Sequence, residues 1–350
     1  MFVDNHIGGS YYPAGSTLNL VGKLEKVIEE NNGDMIYNKQ VKKILIENDK
    51  VYGVKLDDGS IIKCDRVVNS GNVWNLYNNL IDKNLCKKGR EWANSLIPTY
   101  PSLVLFTLED VIPEDTLPIE MLIGDTEKID EGEVTLYILG KDDYTLCPKG
   151  YQTVIAIGPT FKEWINPKGD YHTEAYFKQK QEEKNRILDL IEKRFPGFKD
   201  ALCHVELSTP ATLQRLVMKE KGAVAGPKQQ LGQHMLKRLK TKGEIEGLYN
   251  CGESTVMGTG TPAVTVSGIS VANLILRECN MQEYEAKYIK GDYVTMVKKP
   301  YTGKNLKLSS DKNEDKIGKL AMKCQYCMNP RCQKSCKNNI PIRDINRRLS

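Results

Sequence analysis

The sequence predicts an α/β protein with a mixed α+β domain inserted between two α/β parts and a small cysteine-bearing module near its end. Three observations support this fold class. A helix and several short strands occupy about the first 70 residues, a strand, glycine-rich turn and helix follow Gly247, and four cysteines lie within thirteen residues near Ser350. At roughly 100–200 residues per domain, 350 residues accommodate about two large domains.

The N-terminal part has the pattern of a helix that is followed by a β-meander. Ser16 is a predicted N-cap for a helix over Thr17–Asn31, and Gly33 is its predicted stop. Polar turns such as Asp57-Asp58-Gly59 separate the short apolar runs. The predicted strands are Met35–Tyr37, Val41–Glu47, Val51–Leu56, Ser60–Cys64 and Arg66–Asn69.

The middle of the chain predicts a separate mixed α+β domain for the substrate. A charged helix is expected over Thr173–Arg194, and Phe195-Pro196-Gly197 ends it. Pro, Gly and Asp turns separate the strand candidates Ser102–Leu108, Glu120–Ile123, Glu133–Leu139 and Gln152–Ile157. The pattern alone does not reveal the chemistry of this domain.

A strand, a glycine-rich turn and a helix follow Gly247. The strand is predicted over Leu248–Cys251, the turn over Gly252–Pro262 and the helix over Ala263–Arg277. Glycines allow a ligand to approach the backbone closely, and a helix N-terminus favours an anionic or electron-rich group. A carboxylate after a strand, here Glu253, can hold a polyol hydroxyl. The pattern is also compatible with a glycine-rich turn that binds no ligand.

Several ordered motifs resemble one enzyme family. The segment Tyr249–Ala272 resembles the C-terminal flavin signature of the phytoene desaturase and retinol saturase-like branch of the amine-oxidase superfamily of FAD enzymes. Further segments resemble that branch in the same order, namely Gly8–Gly15, Val41–Val54 with Gly59, Arg66–Asn69, Ser208–Thr212, Gly222-Ala223 and Gly226-Pro227.

The resemblance implies FAD as cofactor and assigns residues to it. In that branch an acidic residue after the strand, here Glu253, contacts the ribityl chain, and the next helix N-terminus faces the flavin. The backbone of Val41 is expected to meet the adenine. The predicted cofactor-binding set is therefore Val41, Gly252, Glu253, Gly258, Gly260, Pro262, Ala263 and Val264.

The chain departs from the family in one respect. The family begins with a strand–GxGxxG–helix unit that cradles the FAD pyrophosphate, and this sequence contains no such unit. The Rossmann-like FAD-binding domain is thus expected to be incomplete, with its first βαβ unit absent and the chain truncated. The expected domains are 1–90 and 241–279 for FAD, 91–240 for the substrate or cap, 280–319 as a linker and 320–350 as an α-helical iron–sulfur module.

The cysteine quartet predicts a metal site. Cys324, Cys327, Cys332 and Cys336 have the spacing C-x2-C-x4-C-x3-C, and four thiolates can surround an iron–sulfur cluster or a zinc ion. The quartet and the Ile340-Pro341-Ile342 run resemble the ferredoxin-like domain of the glutamate synthase small subunit and dihydropyrimidine dehydrogenase. This implies a [4Fe–4S] cluster, further ligands beyond Ser350 and a flavin- and NAD(P)H-binding reductase module or partner. Zinc and free thiols stay open as alternatives.

Charge and composition limit the classes of partner that we expect for this protein. The net charge is +5, but residues 320–350 carry +6 and the other 319 residues carry −1, so nucleic acid is not an expected partner. No run of about 18 apolar residues predicts a membrane span, and without a signal peptide the chain is expected to be cytoplasmic. The four histidines, which have neither metal nor triad spacing, are His6, His172, His204 and His234.

Together these observations predict an FAD-dependent oxidoreductase that transfers a hydride at a C–C bond, as a desaturase or saturase does, coupled to an iron–sulfur module. Its substrate is expected to be a small, lipid-like molecule, and no catalytic acid or base is assigned. One alternative is a zinc-bound basic tail on an α/β scaffold that binds nucleic acid or protein. The other is a flavin amine oxidase, which would share every FAD motif and differ in the cap.

Overall fold

The computed structural model describes residues 11–99, 103–109, 111–124, 126–127, 132–139, 143–158, 164, 173–285, 296–297 and 301–302. These residues belong to two compact units, which are considered separately. The larger unit contains the described residues from Gln40 to Val297, and the smaller contains residues 11–39 and 301–302. The iron–sulfur module predicted for residues 320–350, and most of the predicted 280–319 linker, lie outside the described residues.

The smaller unit contains the first helix, α1 (Leu18–Glu30). Its N-cap residue is Thr17, which makes no side-chain capping bond, so the prediction of Ser16 as N-cap is wrong by one residue, although the Leu18 N–H donates to Ser16 Oγ at 3.2 Å. After the end of the helix, the Gly33 N–H donates to the carbonyl of Ile28 at 2.9 Å. The strand predicted over Met35–Tyr37 does not form. Ile36 is instead largely exposed, and Tyr37 donates its hydroxyl to Glu25.

A three-stranded antiparallel meander opens the larger unit. It comprises β1 (Val41–Glu47), β2 (Lys50–Leu56) and β3 (Ile61–Lys63), paired in that order. Asn48 and Asp49 adopt positive φ in the tight turn between β1 and β2, a conformation that Asn and Asp tolerate better than most residues. Ile44 and Val51 bury their side chains in the first hydrophobic core.

The α/β part follows the meander. Strand β4 (Val67–Asn69) pairs in parallel with β10 (Leu248–Asn250), and α5 (Thr261–Glu278) follows β10. The turns Val73–Asn75 (α-helical) and Leu76–Leu80 (π-helical), and α2 (Lys87–Ser95), lie between β4 and the next sheet. Trp74, Leu76, Leu239 and Leu248 are among the buried residues of the first core.

The mixed α+β part is built on a five-stranded antiparallel sheet. Its order is β6–β7–β8–β5–β9, with β5 (Leu103–Glu109) between β8 and β9. The other strands are β6 (Ile119–Leu122), β7 (Val134–Leu139), β8 (Tyr151–Ile157) and β9 (Leu202–Ser208).

One face of this sheet packs against α3 (Glu174–Arg194) and forms the second hydrophobic core. Alternate residues of each strand enter that core, because successive side chains of a strand point to opposite faces. Leu136, Val154, Ile187 and Phe198 are buried there. Thr173 caps α3 by accepting the Tyr176 N–H at 3.3 Å, and the predicted Thr173–Arg194 helix is confirmed within one residue.

The chain returns to the α/β part through α4 (Pro210–Val217) and two single 3-10 turns, Glu220–Gly222 and Met235–Lys237. Thr209 and Thr212 form a reciprocal capping box at the start of α4. Ala223 and Leu239, on the return path, are buried in the first core. No helix within the described parts of the chain is long and apolar enough to cross a membrane.

Candidate functional site

The candidate site lies where two parallel strands end. Val67, Val68 and Asn69 of β4 face Leu248, Tyr249 and Asn250 of β10 in register. The Cys251 N–H continues the ladder by donating to the Asn69 carbonyl at 3.0 Å. Because the carboxyl ends of parallel strands meet at one edge, the turns after Asn69 and after Asn250 lie side by side.

Two buried asparagines join the strand ends. Asn69 Nδ2 donates to Asn250 Oδ1 at 3.3 Å, and the Gly71 N–H donates back to Asn69 Oδ1 at 3.1 Å. Asn250 Nδ2 donates to the Lys240 carbonyl at 3.0 Å. Both amides are at least nine-tenths buried, so these bonds satisfy groups that would otherwise be costly to bury.

Hydroxyl groups hold the turn after β10. Gly252 has φ +87°, and its N–H donates to Ser267 Oγ of α5 at 2.7 Å. Ser267 Oγ also lies 2.9 Å from Thr255 Oγ1, and the Val73 N–H donates to Ser254 Oγ at 3.1 Å. The turn is thus fastened both to α5 and to the helical turn after β4.

Glu253 is the one carboxylate of this turn, and Lys219 is its partner. The Lys219 ammonium contacts the Glu253 carboxylate directly, and the side chain of Glu253 is only 12% exposed. Lys219 immediately precedes the 3-10 turn Glu220–Gly222. A carboxylate in this position keeps acceptor capacity, because its two oxygens offer about four lone-pair sites.

The buried guanidinium of Arg238 supports the same turn through hydrogen bonds to backbone carbonyls. Arg238 is 2% exposed and donates to the carbonyls of Thr255 and Pro227 at 2.9 Å each, and of Glu253 at 2.5 Å. Burial lowers the pKa of Arg238 from its ordinary value, although the nearby Glu253 charge acts in the opposite direction. Arg238 therefore fixes the backbone on which Glu253 stands.

The N-terminus of α5 has no side-chain cap. Gly260 is its N-cap residue with φ +98°, Pro262 lies in the first turn, and no acidic residue occupies that turn. A Cβ added to Gly260 would meet no described atom within 4 Å, so the space beside this helix end is open. Unpaired N–H groups at a helix end next to open space suit an electron-rich ligand.

Gly258 has a different constraint. It has φ +80°, and an added Cβ would come within 2.3 Å of Gln229 Nε2, so its missing side chain allows a close approach of the 228–238 segment. Ala263 is buried beneath the helix end, and the Val264 N–H makes the first helical bond, to the Gly260 carbonyl at 3.0 Å.

The structure brings most of the predicted cofactor residues together. All except Val41 lie on the continuous turn and helix start that follow β10. Val41 opens β1, is half-buried and pairs with Leu56 in the three-stranded meander. The assignment of these eight residues to a cofactor stays a prediction.

Sequence reasoning missed the residues that hold the turn in place. The sequence gives no signal for Lys219 or Arg238, and the carbonyl partners of Arg238 carry none either. Ser267 is interpretable from the sequence only as a small residue that permits close helix–sheet packing, not as the acceptor for Gly252. The predicted ligands Cys324, Cys327, Cys332 and Cys336 lie outside the described residues. Within the described ranges, no group of three or more His, Cys, Asp or Glu side chains is arranged to hold a metal ion.

Two features of the site are compatible with binding of the flavin end of FAD. The open space beside Gly260 adjoins the uncapped helix N-terminus, and the Glu253 carboxylate stands in the turn that leads to it. A helix end supplies donors to electron-rich ring atoms, and a carboxylate accepts from polyol hydroxyls.

Comparison with known proteins agrees with this fit. The sequence profile described as flavin containing amine oxidoreductase matches residues 1–276. Prolycopene isomerase of Daucus carota is 26% identical over 288 residues, covering 80% of this chain and 46% of the relative. Phytoene desaturase (neurosporene-forming) of Rhodobacter capsulatus is 25% identical over 288 residues, covering 76% and 54%. The chain spans about half the length of these curated relatives.

Solved structures share the fold. An oxidoreductase from Methanosarcina mazei superposes with a TM-score of 0.50 at 18% identity, covering 74% of this chain and 54% of the other. Cyclohexylamine oxidase from Brevibacterium oxydans also reaches 0.50, at 13% identity, covering 76% and 53%. At these identities the likeness concerns the α/β architecture alone.

Proposed function

Because the chain belongs to the flavin containing amine oxidoreductase family, we propose that it forms the flavin-side part of an FAD-dependent oxidoreductase acting on C–C bonds of a lipid-like polyene. The observation that carries the proposal is the uncapped N-terminus of α5, which opens beside Gly260 directly after the turn that bears Glu253. When bound there, FAD supplies the two-electron chemistry that protein side chains lack.

In this proposal, residues of the chain bind the flavin and orient it. The N–H groups at the start of α5 would donate to electron-rich ring atoms, and Gly260 leaves the space beside that helix end free of a side chain. The Glu253 carboxylate would accept a hydrogen bond from a hydroxyl of the polyol chain, and it forms an ion pair with Lys219. Arg238 and Ser267 hold the turn in one conformation, so less ordering is required when a ligand binds.

The face of the five-stranded sheet opposite α3 carries apolar side chains that support an apolar substrate. Ile119 and Met121 of β6 are about half exposed, and Ile155 and Ile157 of β8 are partly exposed. The partly exposed residues Thr135, Tyr137, Tyr151 and Thr153 lie on the same face. The aliphatic side chains of this face can contact a hydrocarbon. The two curated relatives named above act, by their names, on prolycopene and phytoene.

The alternative of an amine substrate is not better supported. Recognition of an amine would favour an aromatic cage, whereas the most exposed residues of this sheet face, Ile119 and Met121, are not aromatic. No acid or base is required by the proposal. Of the two described histidines, His204 is exposed on β9, and His234 bonds through Nδ1 to the Gln230 carbonyl at 2.9 Å.

An anaerobic titration of the chain with FAD, in which binding is measured as quenching of the flavin fluorescence, tests the cofactor proposal. Glu253→Ala should weaken binding by roughly tenfold, as expected for the loss of one hydrogen bond to a charged acceptor. Glu246→Ala is the matched control, because Glu246 is an exposed carboxylate whose contact is with Lys50 at 3.1 Å. Equal affinities for Glu253→Ala and the unaltered chain would contradict the role of Glu253.

Reaction with a polyene tests the substrate proposal. Under anaerobic conditions, the flavin-loaded protein should bleach the oxidised flavin absorbance on addition of a phytoene-type hydrocarbon, with a new conjugated double bond as product. Bleaching by primary amines without any response to polyenes would favour the amine oxidase alternative instead.

We further propose that Cys324, Cys327, Cys332 and Cys336 bind a [4Fe–4S] cluster that exchanges electrons with the flavin and with a reductase module or partner. The support is the cysteine spacing alone. Iron and acid-labile sulfide analysis after anaerobic reconstitution should show both elements, and Cys327→Ser should lower them while Cys279→Ser does not. Zinc without iron or sulfide would favour the basic tail as a nucleic-acid- or protein-binding module.

A further inference from the structure

The loop from Lys228 to Arg238, called the 228–238 loop, has an inverted distribution of polar and apolar side chains. Leu231 is 89% exposed, Leu236 is 83% exposed and Met235 is 64% exposed, whereas Gln233 and Arg238 are buried. Single exposed leucines are ordinary, but three apolar side chains that are each more than 60% exposed within six residues are not. The loop presents apolar tips to the outside and uses polar side chains as its anchor.

The anchors hold the loop in this orientation. Gln233 accepts the Ile97 N–H at 3.0 Å and donates to the carbonyls of Ile97 and Lys228 at 2.8 and 2.9 Å. Arg238 makes the three carbonyl contacts described above. Met235 adopts φ +48°, a strained conformation for a side chain of its size. Such a conformation persists only where the surrounding structure holds the backbone in place.

The loop and its flanking residues carry basic but no acidic side chains. Residues 221–243 contain no Asp or Glu, and within this stretch Lys237 and Lys240 are exposed. The remaining basic residues of the stretch are Lys221, Lys228, Arg238 and Lys242, of which Arg238 is buried and Lys242 pairs with Glu278 at 2.6 Å. The chain outside residues 320–350 is nearly neutral, so this concentration of positive charge is local.

We propose that the 228–238 loop docks the protein onto an anionic lipid surface. Apolar tips enter the boundary between headgroups and acyl chains, while flanking lysines remain at the level of the negative headgroups. A protein partner in place of a lipid surface is one of the outcomes that the test below distinguishes. Arg238 supports both this loop and the turn that bears Glu253, but docking requires no bound flavin, so the proposal stands independently of the proposed function.

Co-sedimentation with vesicles tests the proposal. The chain should bind vesicles of phosphatidylcholine with one third phosphatidylglycerol, bind pure phosphatidylcholine vesicles less, and lose binding as salt rises. The variant Leu231→Ser/Leu236→Ser should bind roughly tenfold more weakly, because two apolar tips are lost. Ile61→Ser/Ile62→Ser is the matched control, since these two exposed residues of β3 lie outside the loop.

Thermal unfolding of the variants provides the second measurement. Since Leu231 and Leu236 are exposed, their replacement should leave the unfolding midpoint unchanged, which separates lost docking from lost folding. Unchanged vesicle binding by the loop variant, or equal weakening by the β3 control, would overturn the proposal. Vesicle-free dimers or nucleic-acid complexes that need the two leucines, without vesicle binding, would overturn it as well.

Discussion

Asn69 and Asn250 are 181 residues apart in the sequence, and the Asn69 side-chain amide donates to the Asn250 side-chain carbonyl at 3.3 Å. A second bond, from the Val73 N–H to Ser254 Oγ, spans the same separation. These two bonds connect the end of β4 and the helical turn after it to the end of β10 and the turn that carries Glu253. The geometry of the candidate site therefore depends on hydrogen bonds between residues far apart in the sequence.

Replacing Asn250 should destabilise the protein. Asn250→Ala leaves the Lys240 carbonyl and the Asn69 amide without their partner in a buried position, so the free energy of unfolding should fall by about 2 kcal/mol. Asn78→Ala, which removes a solvent-exposed bond to Asn94, should change it by less than about 0.5 kcal/mol. Urea unfolding measures both, and equal effects would contradict the role of burial.

Two glycines should respond differently to alanine. Gly222 has φ +64°, and an added Cβ would lie 2.2 Å from the Pro210 carbonyl oxygen, so the backbone at the start of α4 would have to move. Gly222→Ala should cost about 3 kcal/mol or more. Gly59 has φ +86° with nothing within 4 Å of an added Cβ, so Gly59→Ala should cost only about 1 kcal/mol of conformational strain. Similar losses of thermal stability in the two variants would disprove the steric explanation.

Glu192 should contribute to the pH dependence of stability. The backbone N–H groups of Lys199 and Gly197 each donate to its carboxylate at 2.8 Å and hold the pKa of Glu192 below its ordinary value of 4.5. A lowered pKa stabilises the fold above pH 4.5, and this contribution is lost as the pH falls through the lowered value. Glu192→Gln should therefore be less stable than the unaltered chain at neutral pH, and the difference should shrink below pH 4.5. A difference that is constant with pH would contradict this.

The buried carboxylate of Glu183 should require Arg186. Glu183 is fully buried and receives two hydrogen bonds from the Arg186 guanidinium, at 2.8 and 3.1 Å. Arg186→Met should lower the free energy of unfolding by about 3 kcal/mol, because a buried charge loses its main partner. Arg194→Met removes a more exposed pair with Glu120 and should cost less than about 1 kcal/mol. Adding Glu183→Gln to Arg186→Met should recover part of the loss; no recovery would argue against a charge effect.

The cysteines of the described ranges should differ in reactivity. Cys203 and Cys279 are exposed, whereas Cys147 is buried and burial raises the pKa of the Cys251 thiol. Because the thiolate is the nucleophile, iodoacetamide near neutral pH should label Cys203 and Cys279 before Cys147 and Cys251. Peptide mass spectrometry at successive times measures the order, and early labelling of Cys147 would show that its surroundings open.

Most regular elements could be predicted from the sequence because their periodicity is local. Strand β1 was predicted with the bounds it has, and α3 and α5 within two residues. The error at Met35–Tyr37 has a physical reason: a short apolar run becomes a strand only when another strand pairs with it. Strand β9 was not predicted, although Val205 and Leu207 alternate with polar residues; its alternating run is short, and it forms a strand by pairing with β5 at the sheet edge.

The sequence by itself determined the glycine-rich turn, the carboxylate within it and the family to which they point, because these features lie in one continuous segment. Only the tertiary structure decided that Lys219 pairs with Glu253, that Arg238 supports the same turn and that Asn69 meets Asn250. Such contacts join residues far apart in the chain, and many use backbone carbonyls, which every residue possesses. Their geometry therefore leaves no local pattern in the amino-acid sequence.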